Sequence, residues 1–218
     1  MKPSQCHGVY RQLYKQYGPQ SWWPAKTPFE VIVGAVLTQN TAWSNVEQAI
    51  ANLRDNNALT AEAIARAHGQ RLAGWIRPSG YFNVKARRLK SVCQWLLAQG
   101  GVEALSTLGT GQLRPALLEV HGIGPETADD ILLYAFERPV FVIDTYTRRI
   151  FSRLRYIHGK ESYETLRVIF ERHVGEDIAM SNEYHALIVR HAKEHCRKAP
   201  RCEGCCLRRR CGYGRDKD

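Results

Sequence analysis

The chain has 218 residues, 44% of them hydrophobic, which excludes a largely disordered protein and allows one large or two small domains. It has 31 Lys and Arg against 21 Asp and Glu, and the net charge of +10 favours a polyanionic partner, typically nucleic acid, over a merely basic protein. The N-terminal segment lacks the apolar run of a secretory signal, and no stretch of about 18 uncharged apolar residues occurs. We therefore expect a cytoplasmic protein without a membrane span, associated with the nucleoid if the source is bacterial.

Hydrophobic spacing predicts helices along the whole chain. The segments with helical spacing lie at 28–37, 42–53, 60–65, 85–97, 113–118, 127–135, 145–154, 162–174 and 181–195. The single β-like run, at 140–143, is too short to define a sheet. The sequence therefore predicts an all-α fold.

The segment LLEVHGIGPETADDIL contains the first specific motif. Gly122 and Gly124 form a tight turn between two helices, and Thr127 lies at the start of the second helix. Backbone N–H groups at such a turn bind a phosphate oxygen without reading a base. An ordinary helix–helix turn is the alternative, but the flanking apolar pattern favours a DNA-binding hairpin.

A candidate catalytic carboxylate follows the hairpin. The apolar run at 140–143 leads to Asp144, which stands where the next helix begins and is placed to cap it. Capping alone is the alternative role. The preceding hairpin, together with Arg148 in the helix behind it, favours a site that acts on DNA.

Five of the seven cysteines fall near the C-terminus, and clustered cysteines in an intracellular chain favour metal binding over disulfides. Cys196, Cys202, Cys205 and Cys211 have the spacing C-x5-C-x2-C-x5-C. The residues alone leave open an iron–sulfur cluster or a tetrahedral zinc ion. Cys206 is expected to be a spectator, with a ligand swap as the alternative. Cys6 and Cys93 are expected to be ordinary thiols.

Taken together, these motifs resemble those of the endonuclease III (helix-hairpin-helix-GPD) superfamily of DNA glycosylases, over nearly the whole chain. The resemblance implies a six-helix barrel domain at 24–138, with the hairpin near 113–135, and a second helical domain formed by 1–23 and 139–195. It implies a [4Fe–4S] loop at 196–211, although the first cysteine gap is one residue shorter than in the family's C-x6-C-x2-C-x5-C. Damaged DNA would lie across the cleft between the domains.

The same resemblance assigns the chemistry. Asp144 would stabilise the cationic sugar and help water attack C1′. Bifunctional members carry a hairpin lysine that forms a Schiff base with the sugar. This chain has Glu126 there, which cannot form an imine, so we predict a glycosylase without AP lyase activity.

The segment SWWPAKTPFEVIVGAVLTQNTAW resembles the endonuclease-III-like 3-methyladenine glycosylases. By that resemblance, Trp22 or Trp23 and Trp43 sandwich the extruded base, and Glu126 and Lys193 face the same pocket. Such a slot suits a cationic N-alkylated purine, whose glycosidic bond is already weakened. The alternative is that the tryptophans belong to the core and that Lys193 is an ordinary exposed residue.

Two further roles follow from the resemblance: Gln39 fills the gap left by the flipped nucleotide, and Tyr81 is a wedge in the opposite strand.

We therefore predict a monomeric, monofunctional base excision DNA glycosylase that removes alkylated purines such as 3-methyladenine from double-stranded DNA. One alternative is an oxidised-pyrimidine glycosylase with AP lyase activity. The other is a non-catalytic structural DNA-binding protein.

Overall fold

A computed structural model describes residues 1–20, 22 and 25–215. Within those ranges every regular element is helical and no strand occurs, which confirms the predicted all-α fold. None of the described helices is long and apolar enough to cross a membrane. The α-helices are α1 (Pro3–Tyr17), α2 (Pro28–Leu37), α3 (Trp43–Asp55), α4 (Ala61–Arg66), α5 (Gly69–Trp75), α6 (Phe82–Ala98), α7 (Gly101–Ser106), α8 (Thr110–Leu118), α9 (Pro125–Tyr134), α10 (Thr145–Arg153), α11 (Tyr163–Val174), α12 (Ile178–Glu194) and α13 (Gly212–Arg215).

The chain divides into two compact units. The central unit is Ala25–Arg138, and the terminal unit combines Met1–Pro24 with Pro139–Asp218. That each unit is a domain of its own stays a prediction.

Helix α2 forms the centre of the central unit. All its residues from Glu30 to Leu37 are buried, so the helix is surrounded by other elements, with α3, α6 and α9 packed against it. Thr27 caps it, because its hydroxyl accepts a hydrogen bond from the Glu30 N–H at 3.2 Å.

The core of the terminal unit is aromatic. The rings of Phe141 and Phe170 stack at 4.7 Å, and Phe151 meets Phe170 edge-on at the same distance. The buried run at 140–143 is extended but pairs with no strand in the described structure. Instead, the Phe141 N–H donates to Glu171 at 3.2 Å and the Ile143 N–H to the Tyr163 hydroxyl at 3.3 Å. Side chains thus satisfy this buried backbone and fix the position at which α10 begins.

Several elements differ from the sequence-based prediction. Helices α1, α5 and α7 were not predicted, because each buries few apolar residues along its own length. Helix α12 begins at Ile178 rather than at 181, since Asp177 caps it by accepting from the Met180 N–H at 2.8 Å. Helix α8 likewise begins at Thr110 rather than at 113.

Candidate functional site

Asp144 lies at the start of α10 in the terminal unit and is 8% exposed. Its Oδ1 accepts a hydrogen bond from the Thr147 N–H at 2.7 Å, so the residue does cap the helix. Its Oδ2 lies 3.6 Å from Nε2 of His185, a buried residue of α12. The two oxygens therefore have different neighbours.

Asp144 is an ionised group. Burial raises the pKa of this carboxyl, but His185 and the donors of Thr147 outweigh that effect and bring the pKa below its ordinary value. A buried carboxylate that is charged at neutral pH is suited to stabilising a nearby positive charge, since little solvent screens it.

The glycine turn joins α8 to α9 in the central unit. Gly122 has φ +90°, the left-handed region that favours glycine, whereas Gly124 has φ −94° and caps α9. Arg114 holds the two helices together, because its guanidinium meets the buried Asp129 carboxylate at 2.7 and 3.1 Å. Glu126 lies in the first turn of α9 and is exposed, and its negative charge is favourable at the N-terminus of a helix.

The two glycines are expected to differ sharply in their tolerance of alanine. A Cβ at Gly122 would lie 2.2 Å from Cγ of Arg88, whereas a Cβ at Gly124 would meet nothing within 4 Å. We expect Gly122→Ala to lower the free energy of unfolding by about 2 kcal/mol, since it combines a left-handed backbone with a clash. Gly124→Ala is the control and should lose less than about 1 kcal/mol, because it weakens only the cap of α9. Equal denaturant midpoints for the two variants would contradict this account.

Gln39 is tied to the same turn. Its Nε2 donates to the Gly122 carbonyl at 3.1 Å and to the Thr127 hydroxyl at 3.0 Å. Its Oε1 accepts a hydrogen bond from Arg88, whose stem lies against Gly122. Of the predicted DNA-binding residues, Gln39, Gly122 and Thr127 thus form one network within the central unit.

Tyr81 is the most exposed of the large apolar side chains described, at 72%. It precedes α6 in a left-handed conformation with φ +46°, which is rare for a bulky residue and is typical of a functional constraint. Lys85 anchors this loop to the Gln39 loop, because its buried Nζ donates to the carbonyls of Leu37 at 2.8 Å and Ser79 at 2.6 Å. Tyr81 and Gln39 line one open cavity of about 230 Å³.

Trp22 and Lys193 meet in the terminal unit. The Lys193 ammonium lies over the Trp22 ring, 5.8 Å from its centroid, at cation–π distance. Within the described residues, no acceptor lies within hydrogen-bonding distance of the buried Trp22 Nε1. Trp23, the other predicted stacking residue, lies outside the described residues. Trp43 is half-buried at the first position of α3 and, like Glu126, belongs to the central unit.

Arg148 lies in the first turn of α10 and is half-buried. Its guanidinium donates to the Glu161 carbonyl at 2.8 Å, so one donor is used inside the protein. Its contact with DNA stays a prediction.

The four predicted cysteine ligands line one common cavity. Cys196, Cys202, Cys205 and Cys211 share its wall with apolar side chains such as Leu154, whereas Cys206 does not line it. No group of three His, Cys, Asp or Glu in the described part of the chain is arranged to hold a single metal ion.

Two nitrogen-bearing side chains approach the sulfurs. Arg153 donates to Cys196 Sγ at 3.2 Å, and His191 Nε2 lies 3.5 Å from Cys205 Sγ. A guanidinium beside a sulfur favours its thiolate, and four thiols around one cavity are the ligand type of an inorganic cluster.

Sequence reasoning did not single out His185, Arg88 or Lys85. All three act through tertiary contacts with partners more than 40 residues away. The one signal for His185 is a histidine inside the apolar stretch YHALIV, where an imidazole is costly to bury unless a polar partner faces it.

Comparison with known proteins gives consistent results. The sequence profile of the HhH-GPD superfamily of base excision DNA repair proteins matches residues 33–176. A putative DNA repair glycosylase of Methanocaldococcus jannaschii is 45% identical over 206 residues, which cover 93% of this chain and 94% of the relative. Endonuclease III of Sulfolobus acidocaldarius is 29% identical over 85% of this chain and 82% of its own length.

Among solved structures, the H. pylori 3-methyladenine DNA glycosylase bound to 1,N6-ethenoadenine has a TM-score of 0.77 and 30% identity, covering 89% of this chain and 98% of the other. An endonuclease III–DNA complex has a TM-score of 0.85 at 20% identity, covering 100% and 98% of the two chains, and this likeness shows the fold alone.

Proposed function

We propose that this chain, which belongs to the HhH-GPD superfamily of base excision DNA repair proteins and is a DNA glycosylase, hydrolyses the glycosidic bond of alkylated purines such as 3-methyladenine. The observation that carries the chemistry is the buried carboxylate of Asp144 at the start of α10, with Thr147 at one oxygen and His185 facing the other. The similarity to the H. pylori 3-methyladenine glycosylase supports the substrate class.

Asp144 would act through its charge. Departure of the base leaves positive charge on the sugar, and a carboxylate held in a water-poor site stabilises that charge more strongly than one in solvent. Because Oδ1 is engaged by Thr147, we expect Oδ2 to face C1′ or to orient the attacking water, with a lone pair other than the one that faces His185.

The base pocket would be aromatic. By the family resemblance, Trp22 and Trp43 would stack on the purine, and the carboxylate of Glu126 would favour a cationic base. A purine alkylated at N3 is a good leaving group and needs little acid catalysis, so stacking and charge are sufficient for selection.

The absence of lyase activity is the second part of the proposal. Imine formation needs an amine at the hairpin position that Glu126 occupies. We therefore expect no borohydride-dependent crosslink between this protein and a duplex that contains an abasic site. A bifunctional glycosylase is the positive control, and a stable crosslink to the present chain would contradict the proposal.

We also propose that Cys196, Cys202, Cys205 and Cys211 hold a [4Fe–4S] cluster. The four thiols line one cavity, and their spacing resembles that of the iron–sulfur loop of the superfamily, which supports a cluster over a single zinc ion. When bound, the cluster would crosslink the loop and stabilise it without taking part in bond cleavage. The loop would then present its arginines to DNA phosphates; these are Arg201, Arg208, Arg209 and Arg210.

A lesion panel tests the substrate class. Methylated duplex DNA, which carries cationic N-alkylated purines, and a duplex with a single thymine glycol are incubated with the protein, and strand breaks are scored before and after alkali. We expect breaks in the methylated duplex that appear only after alkali and exceed those in a protein-free control. Breaks at thymine glycol without alkali would instead support the oxidised-pyrimidine glycosylase with lyase activity.

A further inference from the structure

We infer that His185 is a positioning residue that holds the Asp144 carboxylate in its reactive orientation. The inference rests on the proposed role of Asp144 and adds a residue that the sequence motifs do not contain. His185 Nε2 lies 3.6 Å from Asp144 Oδ2, and the two side chains belong to helices that pack against each other, α12 and α10. Both residues are buried, at 5% and 8% exposure.

The two carboxylate oxygens of Asp144 contact different residues. Thr147 fixes Oδ1 through a short backbone hydrogen bond, but one bond leaves the carboxylate free to swing about it. An imidazole N–H facing Oδ2 supplies the second point of attachment. Catalytic contacts are often long before substrate binds and tighten in the complex, so 3.6 Å suits a contact that closes on DNA.

A core-filling role does not account for His185. Its neighbours on α12, Tyr184, Leu187 and Ile188, are fully buried apolar contacts of the terminal unit. An imidazole at this position loses hydration, which an aliphatic residue would avoid. The carboxylate of Asp144 offsets that cost, and in return His185 opposes the effect of burial, which would otherwise raise the pKa of Asp144.

The other charged side chains of these two helices are engaged elsewhere. On α10, Arg148 and Arg149 donate to backbone carbonyls, and Arg153 donates to Cys196 Sγ. On α12, Glu183 accepts from the Gln20 N–H and Arg190 pairs with Glu194. Further along α12, His191 contacts Tyr17 and Cys205, and Lys193 lies over the Trp22 ring. Within the described residues, the side chains whose effects on the pKa of Asp144 are resolved are therefore His185 and Thr147.

The test uses two duplexes that carry analogues of the sugar, so the natural lesion does not have to be known. One carries a pyrrolidine in place of a deoxyribose, which is cationic like the proposed transition state, and the other carries neutral tetrahydrofuran. The ratio of their dissociation constants reports how strongly the site favours positive charge at the sugar. It is measured from about pH 5 to about pH 8, a range that spans the titration of an ordinary histidine, for the unmodified protein and for His185→Leu, His185→Gln and Asp144→Asn.

We expect the unmodified protein to prefer the pyrrolidine duplex. His185→Leu should lower that preference by roughly tenfold, the usual effect of losing a hydrogen bond to a charged group. On acidification, His185→Leu should lose the preference at a higher pH than the unmodified protein does, because only Thr147 then opposes the effect of burial on the pKa of Asp144. His185→Gln, which keeps an N–H donor, should recover most of the preference at the alkaline end of the range. The double variant that combines His185→Leu with Asp144→Asn should lose no more than Asp144→Asn alone.

His173→Leu is the matched control. His173 contacts the Met1 carbonyl in the same unit and does not contact Asp144, so its loss should leave the ratio unchanged. A preference that survives in His185→Leu but not in Asp144→Asn would overturn the inference and leave the proposed function standing. An unmodified protein that shows no preference, unchanged by Asp144→Asn, would overturn both.

Discussion

Replacing Asp144 by asparagine is expected to reduce release of the damaged base by at least about 100-fold, the lower end of what a positioned acid–base group contributes. Asparagine caps helices as well as aspartate does, so α10 should keep its start and the protein its stability. The change therefore removes a negative charge from the site while preserving the fold. Single-turnover kinetics of base release measures the effect.

The control for this prediction is binding. Asp144→Asn should bind a duplex with a tetrahydrofuran site at least as well as the unmodified protein does, because that ligand carries no charge at the sugar. Asp144→Ala should in addition lower the free energy of unfolding by about 1 kcal/mol, since the helix cap is then lost as well. Base release at the unmodified rate by Asp144→Asn would show that capping is the residue's whole role.

The second large effect is expected in the cysteine loop. Cys205→Ser should lose bound iron and lower the melting temperature, because it removes one of the four thiols that line the cavity. Cys206→Ser, its neighbour in sequence, should keep its iron, because that thiol does not line the cavity. Iron, sulfide and zinc analysis of the two purified variants provides the comparison.

This pair separates three possibilities. Iron retained in Cys206→Ser and lost in Cys205→Ser supports the proposed ligand set. The reverse result would assign Cys206 as the ligand, as the shorter first gap allows. Stoichiometric zinc without iron or sulfide would replace the cluster by a single metal ion.

Features that depend on local sequence were predictable. Gly122 was identified as a turn residue because a positive φ favours glycine, and its observed φ of +90° agrees with that reasoning. Asp144 was predicted at the start of a helix from the apolar run before it and the helical pattern after it, and it does cap α10. The cysteine spacing likewise selected four residues that line one cavity.

Features that depend on tertiary contacts were not predictable. Nothing in the sequence near Asp144 indicates that His185, on α12, faces it. The same holds for Arg88, whose stem packs under Gly122 while its guanidinium binds Gln39. Hydrophobic spacing did not predict α1 because this helix has few apolar residues. Those that it buries against α11 and α12 are Cys6, Val9 and Leu13.

The most direct test of the central claim is chromatography of the bases that the purified, iron-loaded protein releases from methylated duplex DNA. We expect free 3-methyladenine in the soluble fraction, with the DNA strands intact until alkali is added. If no methylated purine is released under conditions in which the protein binds tetrahydrofuran-containing duplex, the assignment to alkylated purines is contradicted.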